Sequence, residues 1–132
     1  MARSPLTEIV LDASAVLACK LGEPGADRVR PLIAGARLNT VNLTEVASRL
    51  IDRGAAAAAI SGLPEELGCR IIPFDIDLAL GAAILRNPTR RLGLSLGDRA
   101  CLALAQRERL PVLTADRAWL ELDVGVEVVL IR

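Results

Sequence analysis

The stretch SLGDRACLALAQRERLPVLTADRAW, residues 95–119, holds three signals in succession. Leu96, Ala100, Ala103, Leu104 and Arg107 fall near one stripe of a 3.6-residue helix, while Asp98, Arg99, Gln106 and Arg109 lie mostly off it. Ser95 stands at the N-cap position, Asp98 follows three residues on as in a capping box, and Pro111 ends the run. PVLT at 111–114 then has strand length and composition, and Asp116 opens a further helical stretch over 117–122. A helix feeding a strand that feeds a helix is the repeating unit of a parallel sheet covered by helices.

The same alternation extends outward. Strand-like runs occur at EIVL 8–11, LNTV 38–41, CRIIPF 69–74 and VEVVLI 126–131, and helical patterns over 14–21, 25–34, 43–53, 55–67 with a break at Pro64, and 76–86. The expected fold class is therefore α/β, with a central, mostly parallel five-stranded sheet. A chain of 132 residues fits one domain spanning 1–132. RNPTRRLG, 86–93, is the main polar connection and clusters Arg86, Arg90 and Arg91.

Composition removes whole classes of chemistry. With no histidine, Ser-His-Asp and Cys-His nucleophile systems, His-bound zinc and histidine acid–base ribonuclease chemistry are all excluded. Cys19, Cys69 and Cys101 are widely spaced among apolar residues, so they read as buried thiols rather than a disulfide framework. The hydrophobic fraction is 52%, much of it alanine, yet no run is apolar enough to span a membrane. MARSPLTEIV lacks the apolar core of a signal peptide, which predicts a cytoplasmic protein. Net charge is zero, and Phe74 and Trp119 are too few aromatics for a base-stacking platform. Trp119 reads as a core or interface residue. Fifteen of the 16 basic residues are arginine, which suits bidentate phosphate contacts.

Acidic residues are left to supply any catalysis. Asp12 follows the first strand, Glu45 lies in the first turn after the second, Asp116 follows the fourth, and Asp98 begins the helix leading into it. Ligands of open α/β sheets collect beyond the carboxyl ends of the strands. Each acid also has an ordinary reading: Asp12 and Asp116 as caps or turn formers, Asn42 to Glu45 and Ser95 to Asp98 as capping boxes. Asp75, in PFDIDLAL, opens a helix in the same way with no reason to be called catalytic. If the four converge, two carboxylates about 5 Å apart repel by roughly 3 kcal/mol at an effective dielectric near 20, against about 1 kcal/mol from a cap. Such a pocket needs a cation. Hard oxygen donors without histidine or thiolate favour Mg²⁺ or Mn²⁺, with the Ser14 and Thr114 hydroxyls placed to orient ligands. A carboxylate-held ion suits phosphodiester hydrolysis.

VLDASAVLACKLGEPG, VNLTEVASRL, GLSLGDRACLALA and VLTADRAW, in that order, resemble the PIN-domain family and most closely its VapC-type toxins. The likeness runs from Ile9 to Ile131. It implies a three-layer fold and a Mg²⁺- or Mn²⁺-dependent endoribonuclease. Asp12 and Asp98 would be direct metal ligands, Asp116 a ligand directly or through water, and Glu45 a shared ligand or the group that positions the attacking water. Thr114 matches the small polar position two before the last aspartate, and Ser14 also suits the pattern. The resemblance further implies an RNA substrate, a homodimer, and a VapB-like antitoxin whose tail covers the acidic groove with a basic side chain. Arg3, Arg53, Arg86, Arg90, Arg91, Arg99 and Arg117 are candidate phosphate contacts. Rival readings are a housekeeping PIN-domain RNA-processing nuclease, a non-catalytic interaction module, and a phospho-receiver. The last needs a lysine at a strand end, and the chain's single lysine, Lys20, falls in the first helical stretch.

Overall fold

The computed structural model describes residues 8–132. Five short strands, β1 (Val10–Leu11), β2 (Arg37–Asn39), β3 (Arg70–Ile72), β4 (Val112–Thr114) and β5 (Val128–Leu130), form one sheet in the order β3-β2-β1-β4-β5. Every pairing is parallel, with Val10 opposite Arg37 on one side and Val112 on the other. The helices are α1 (Ala13–Leu21), α2 (Ala26–Val29), α3 (Thr40–Asp52), α4 (Ala57–Ser61), α5 (Leu63–Leu67), α6 (Ile76–Ile84) and α7 (Leu96–Glu108). Turns of 3₁₀-helix occupy Arg30–Gly35, Arg90–Leu92 and Arg117–Glu121.

Side-chain alternation along the two central strands divides the core in two. Ile9, Leu11 and Leu113 pack with Val16, Val29, Leu38, Val46 and Leu63 on one face. Val10 and Val112 pack with Leu78, Leu102, Leu104 and Trp119 on the other. The result is a three-layer α/β/α fold. Trp119 is fully buried, its indole Nε1 without a hydrogen-bond partner among the described residues.

Four local departures from the sequence reading have physical causes. The second strand ends at Asn39 rather than residue 41, because the Asn39 Oδ1 accepts the Val41 and Asn42 amides and starts α3 at Thr40. Asn42 is therefore a helical residue and not the cap of a box with Glu45. The 25–34 helix becomes α2 plus a 3₁₀ turn, with Pro31 at the start of the turn. The 55–67 helix divides at Gly62, two residues before Pro64. Finally, α7 lacks the expected one-sided stripe: everything from Arg99 to Ala105 is buried. Its outer side is covered by α6, where Gly81 faces Ala103. Cys101 is buried as expected, whereas Cys19 and Cys69 are only partly so, and all three are free thiols.

Among the described residues no helix is long and apolar enough to cross a membrane.

Candidate active site

The chain builds outward from β1 through β2 to β3, then crosses to β4 and β5, so the topological switch falls between β1 and β4. Loops diverge there and leave a crevice beyond the strands' carboxyl ends. Asp12 follows β1 directly and Asp116 stands two residues beyond β4, placing one carboxylate on each side of that crevice. Glu45 reaches it from α3 and Asp98 from the first turn of α7. All four line one cavity of about 510 Å³, together with Ser14, Leu17, Thr44, Ser48 and Arg49. Asp98, at the start of the helix that leads into β4, thus joins the others. Asp75 does not line the cavity. Its side chain accepts the Leu78 amide and two bonds from Arg107, and these hold its carboxyl below the ordinary range.

Each acid is held in a distinct way. Asp12 occupies the N-cap position of α1 yet makes no capping bond to it. Its Oδ2 instead accepts the Ser14 hydroxyl at 2.6 Å and the Thr114 hydroxyl at 2.8 Å. Those hydroxyls in turn accept backbone amides, Ser14 Oγ from Ala115 and Thr114 Oγ1 from Asp116. Their protons are thereby directed at Asp12, and the end of β4 is tied to the end of β1. Asp12 is only 6% exposed. Burial raises its carboxyl above the ordinary value and the charge of Asp98 raises it further, while the two hydroxyls act in the opposite sense. Asp98 completes a capping box with Ser95, its Oδ2 accepting the Ser95 amide at 3.0 Å. Asp116 Oδ1 accepts the Ala118 amide at 3.0 Å.

Glu45 rests on a support that sequence reasoning missed. The Asn42 Nδ2 donates both to Glu45 Oε1 at 2.9 Å and to the Gly97 carbonyl at 3.0 Å, while Asn42 Oδ1 accepts from Asn39 Nδ2 at 2.6 Å. Both asparagines are fully buried, and this network fastens α3 to α7. Gly97 completes it: a Cβ there would lie 1.7 Å from Glu45 Oε1, so the carboxylate occupies space that only glycine leaves free. Two signals pointed here, an isolated glycine inside a helical pattern and an asparagine one turn before a candidate acid. Burial raises the Glu45 carboxyl, as do the charges of Asp12 and Asp98, against a lowering by Asn42. Arg49, one turn beyond Glu45, is a second missed residue. It lines the cavity but forms no ion pair with any of the four acids among the described residues.

The donor set is hard oxygen only, which fits Mg²⁺ or Mn²⁺ better than zinc. The carboxylates share the cavity without closing on one point: among the described residues no group of three or more acidic or thiol side chains is arranged to hold a metal ion. That spacing still suits Mg²⁺, which keeps several waters and binds through one or two carboxylates plus substrate phosphates. The lysine a phospho-receiver needs is elsewhere, since Lys20 pairs with Glu66. Of the arginines named as phosphate contacts, Arg99 is buried and donates to the Ala82 carbonyl, Arg117 donates to the Arg132 carbonyl, and Arg3 lies outside the described residues.

Several solved structures share this fold. A toxin–antitoxin complex from Klebsiella pneumoniae superposes with a TM-score of 0.75 at 20% identity, over 94% of this chain and 98% of the other. VapBC-5 from Mycobacterium tuberculosis, a member of the VapBC toxin–antitoxin family, gives 0.59 at 25% identity, over 96% and 98%. VapC20 from the same organism, described as a sarcin-ricin loop cleaving toxin, gives 0.70 at 18% identity, over 90% and 98%. No curated protein sequence matched the chain. The PIN domain family model matches residues 9–125, so the chain belongs to the PIN-domain family.

Proposed function

We propose that the protein is a cytoplasmic, Mg²⁺- or Mn²⁺-dependent endoribonuclease, the VapC-type toxin of a toxin–antitoxin pair. The convergence of Asp12, Glu45, Asp98 and Asp116 on one cavity at the switch point carries this reading. Structural neighbours that are toxin–antitoxin complexes support the toxin assignment over a housekeeping nuclease.

Asp12 and Asp98 are the residues to hold the ion, with Asp116 completing its shell directly or through water. When bound, a divalent ion supplies charge neutralisation for the phosphodiester and lowers the pKa of water. Ser14 and Thr114 keep the Asp12 carboxylate oriented toward the cavity. Glu45, its basicity raised by burial, is suited to orient the attacking water and take its proton. A VapB-like antitoxin inhibits by placing a guanidinium among the same carboxylates, where it substitutes for the cation. A homodimer is part of the reading, and the exposed stripe of Ile76, Leu80 and Ile84 along α6 is apolar surface available to a second copy.

The test is to replace Asp12 or Asp98 by asparagine. RNA cleavage should be abolished while the fold stays at least as stable, because asparagine caps and accepts hydroxyl protons without the repulsion. Millimolar Mn²⁺ should raise the melting temperature of the parent, through stabilisation of about 2.7 kcal/mol at a hundredfold excess over Kd, and raise that of either variant less. A variant that cuts at the parent rate in Mn²⁺ removes that residue from the mechanism.

A further inference from the structure

The turn between α6 and α7 forms a second concavity, of about 190 Å³, lined by Arg86, Thr89, Arg90, Gly93 and Leu94. It contains two guanidinium-bearing side chains and no carboxylate. The Arg86 side chain makes no hydrogen bond or ion pair among the described residues, and the Arg90 guanidinium donates only to the neutral Asn87 Oδ1, at 2.9 Å. A third cation lies between the same two helices, one turn further in. Arg99, 9% exposed, lies one helical turn from Ser95 and donates to the carbonyl of Ala82, one turn before Arg86. Its Nε is buried without a partner, and no carboxylate comes within 4.0 Å of it among the described residues. Buried charges are ordinarily paired, because leaving water costs several kcal/mol that only a counter-charge offsets. Of the three arginines only Arg99 is buried and lacks that counter-charge, while Arg86 and Arg90 stand exposed at the same junction with no carboxylate paired to either.

The location relates this junction to the acidic cavity. Leu94 lines the basic concavity and Asp98 lines the acidic one, and four residues span at most about 14 Å. On the other side Arg91 approaches Glu121, at 4.0 Å, in the 3₁₀ turn that Asp116 caps. A polyanion entering the acidic cavity therefore passes within a few nucleotides of the arginines.

We propose that the concavity between Arg86 and Arg90 is a phosphate-binding subsite that holds one backbone phosphate of a single-stranded RNA, a few nucleotides from the bond cut in the acidic cavity. The assignment rests on the nuclease reading for its substrate. It resolves how a protein of zero net charge grips RNA: locally, at one junction, rather than through a broad basic surface.

The test measures binding of a 5′-labelled single-stranded RNA of about a dozen nucleotides to the full-length Asp98→Asn protein over a range of salt. Arg86→Gln with Arg90→Gln should weaken binding on the order of tenfold and reduce the slope of log K against log salt by about 0.7, the value for one phosphate. Arg86→Lys with Arg90→Lys, which keeps the charge, should retain most of the slope. Arg70→Gln, an exposed arginine at the amino end of β3, should change neither quantity. An unchanged slope in the double glutamine variant, or an equal loss in Arg70→Gln, overturns the subsite. The two readings separate cleanly. A parent that cuts RNA while the glutamine variant keeps its slope removes the subsite alone. A parent that cuts nothing while the slope still falls removes the nuclease and leaves the phosphate site.

Discussion

Replacing Gly97 by alanine tests how finely Glu45 is placed. The added Cβ would lie 1.7 Å from Glu45 Oε1, whereas ordinary contact begins at 3.4 Å, so the carboxylate must retreat by about 1.7 Å. The obstructing atom is the end of a flexible side chain, so the helix need not move. Folding energies nearly cancel: alanine gains up to about 1 kcal/mol in helix propensity over glycine, and the bond from Asn42 to Glu45 is worth about 1 kcal/mol. The melting temperature should thus stay within roughly 4 °C of the parent. Activity should not, because a misplacement of about 1 Å at a reacting centre can cost on the order of a hundredfold. Gly81→Ala is the control, since its Cβ would meet Ala103 at an ordinary 3.4 Å; it should stabilise α6 slightly and leave cleavage intact. The assay is kcat/KM on one RNA substrate with parallel thermal melts, repeated in a Glu45→Ala background. There Gly97→Ala should cost nothing more, because the carboxylate it displaces is gone. A Gly97→Ala protein that cuts within about threefold of the parent, or that loses a further hundredfold without Glu45, refutes the reasoning.

Asp75→Asn should leave RNA cleavage at the parent level, since asparagine keeps the cap on Leu78 and the residue lies outside the acidic cavity; a large loss of activity would mean that position has been misread. Asp12 titrates in the direction set by its burial. Its folded carboxyl is raised above the ordinary value of 3.8, so its contribution to stability is complete below that pH and is lost as pH rises through the raised folded value. In EDTA, Asp12→Asn should therefore gain stability over the parent as pH rises from about 4 toward neutrality, and the two should converge below it. Urea melts across that range decide it, and a constant difference at all pH values would refute the burial argument.

Much of the fold was legible because its signals are local. Pro111 and the Ser95–Asp98 box delimit α7, and the short apolar runs around Val10 and Val112 mark strands whose alternate residues divide the core. What the sequence concealed depended on partners distant along the chain. Nothing in residues 96–108 reveals that α6 will cover the outer side of α7, so its expected stripe became a helix buried over most of its length. Asn42 looked like a cap because an asparagine with glutamate three positions on makes a box. Asn39 has the same chemistry three residues earlier and wins the position, which frees Asn42 to support Glu45. The acids themselves stood out once histidine was absent, but Arg49, one turn beyond Glu45, carries no local mark to distinguish it from the other arginines.

Capping and catalysis were posed as competing explanations for these carboxylates, yet the geometry makes them compatible. Asp98 and Asp116 each give one oxygen to an amide of their own turn and line the shared cavity as well. A carboxylate has two oxygens, and a bond from a rigid backbone amide to one of them fixes the direction of the other. Asp12 is the informative exception. It is the most buried of the four and takes no capping bond from the amides of α1, relying on the hydroxyls of Ser14 and Thr114, which are themselves oriented by amides beyond β4. Those two neutral donors leave its carboxyl raised. On the proposed function, Asp12, the deepest of the four and raised by its burial, is where a bound ion or a guanidinium would relieve the site most.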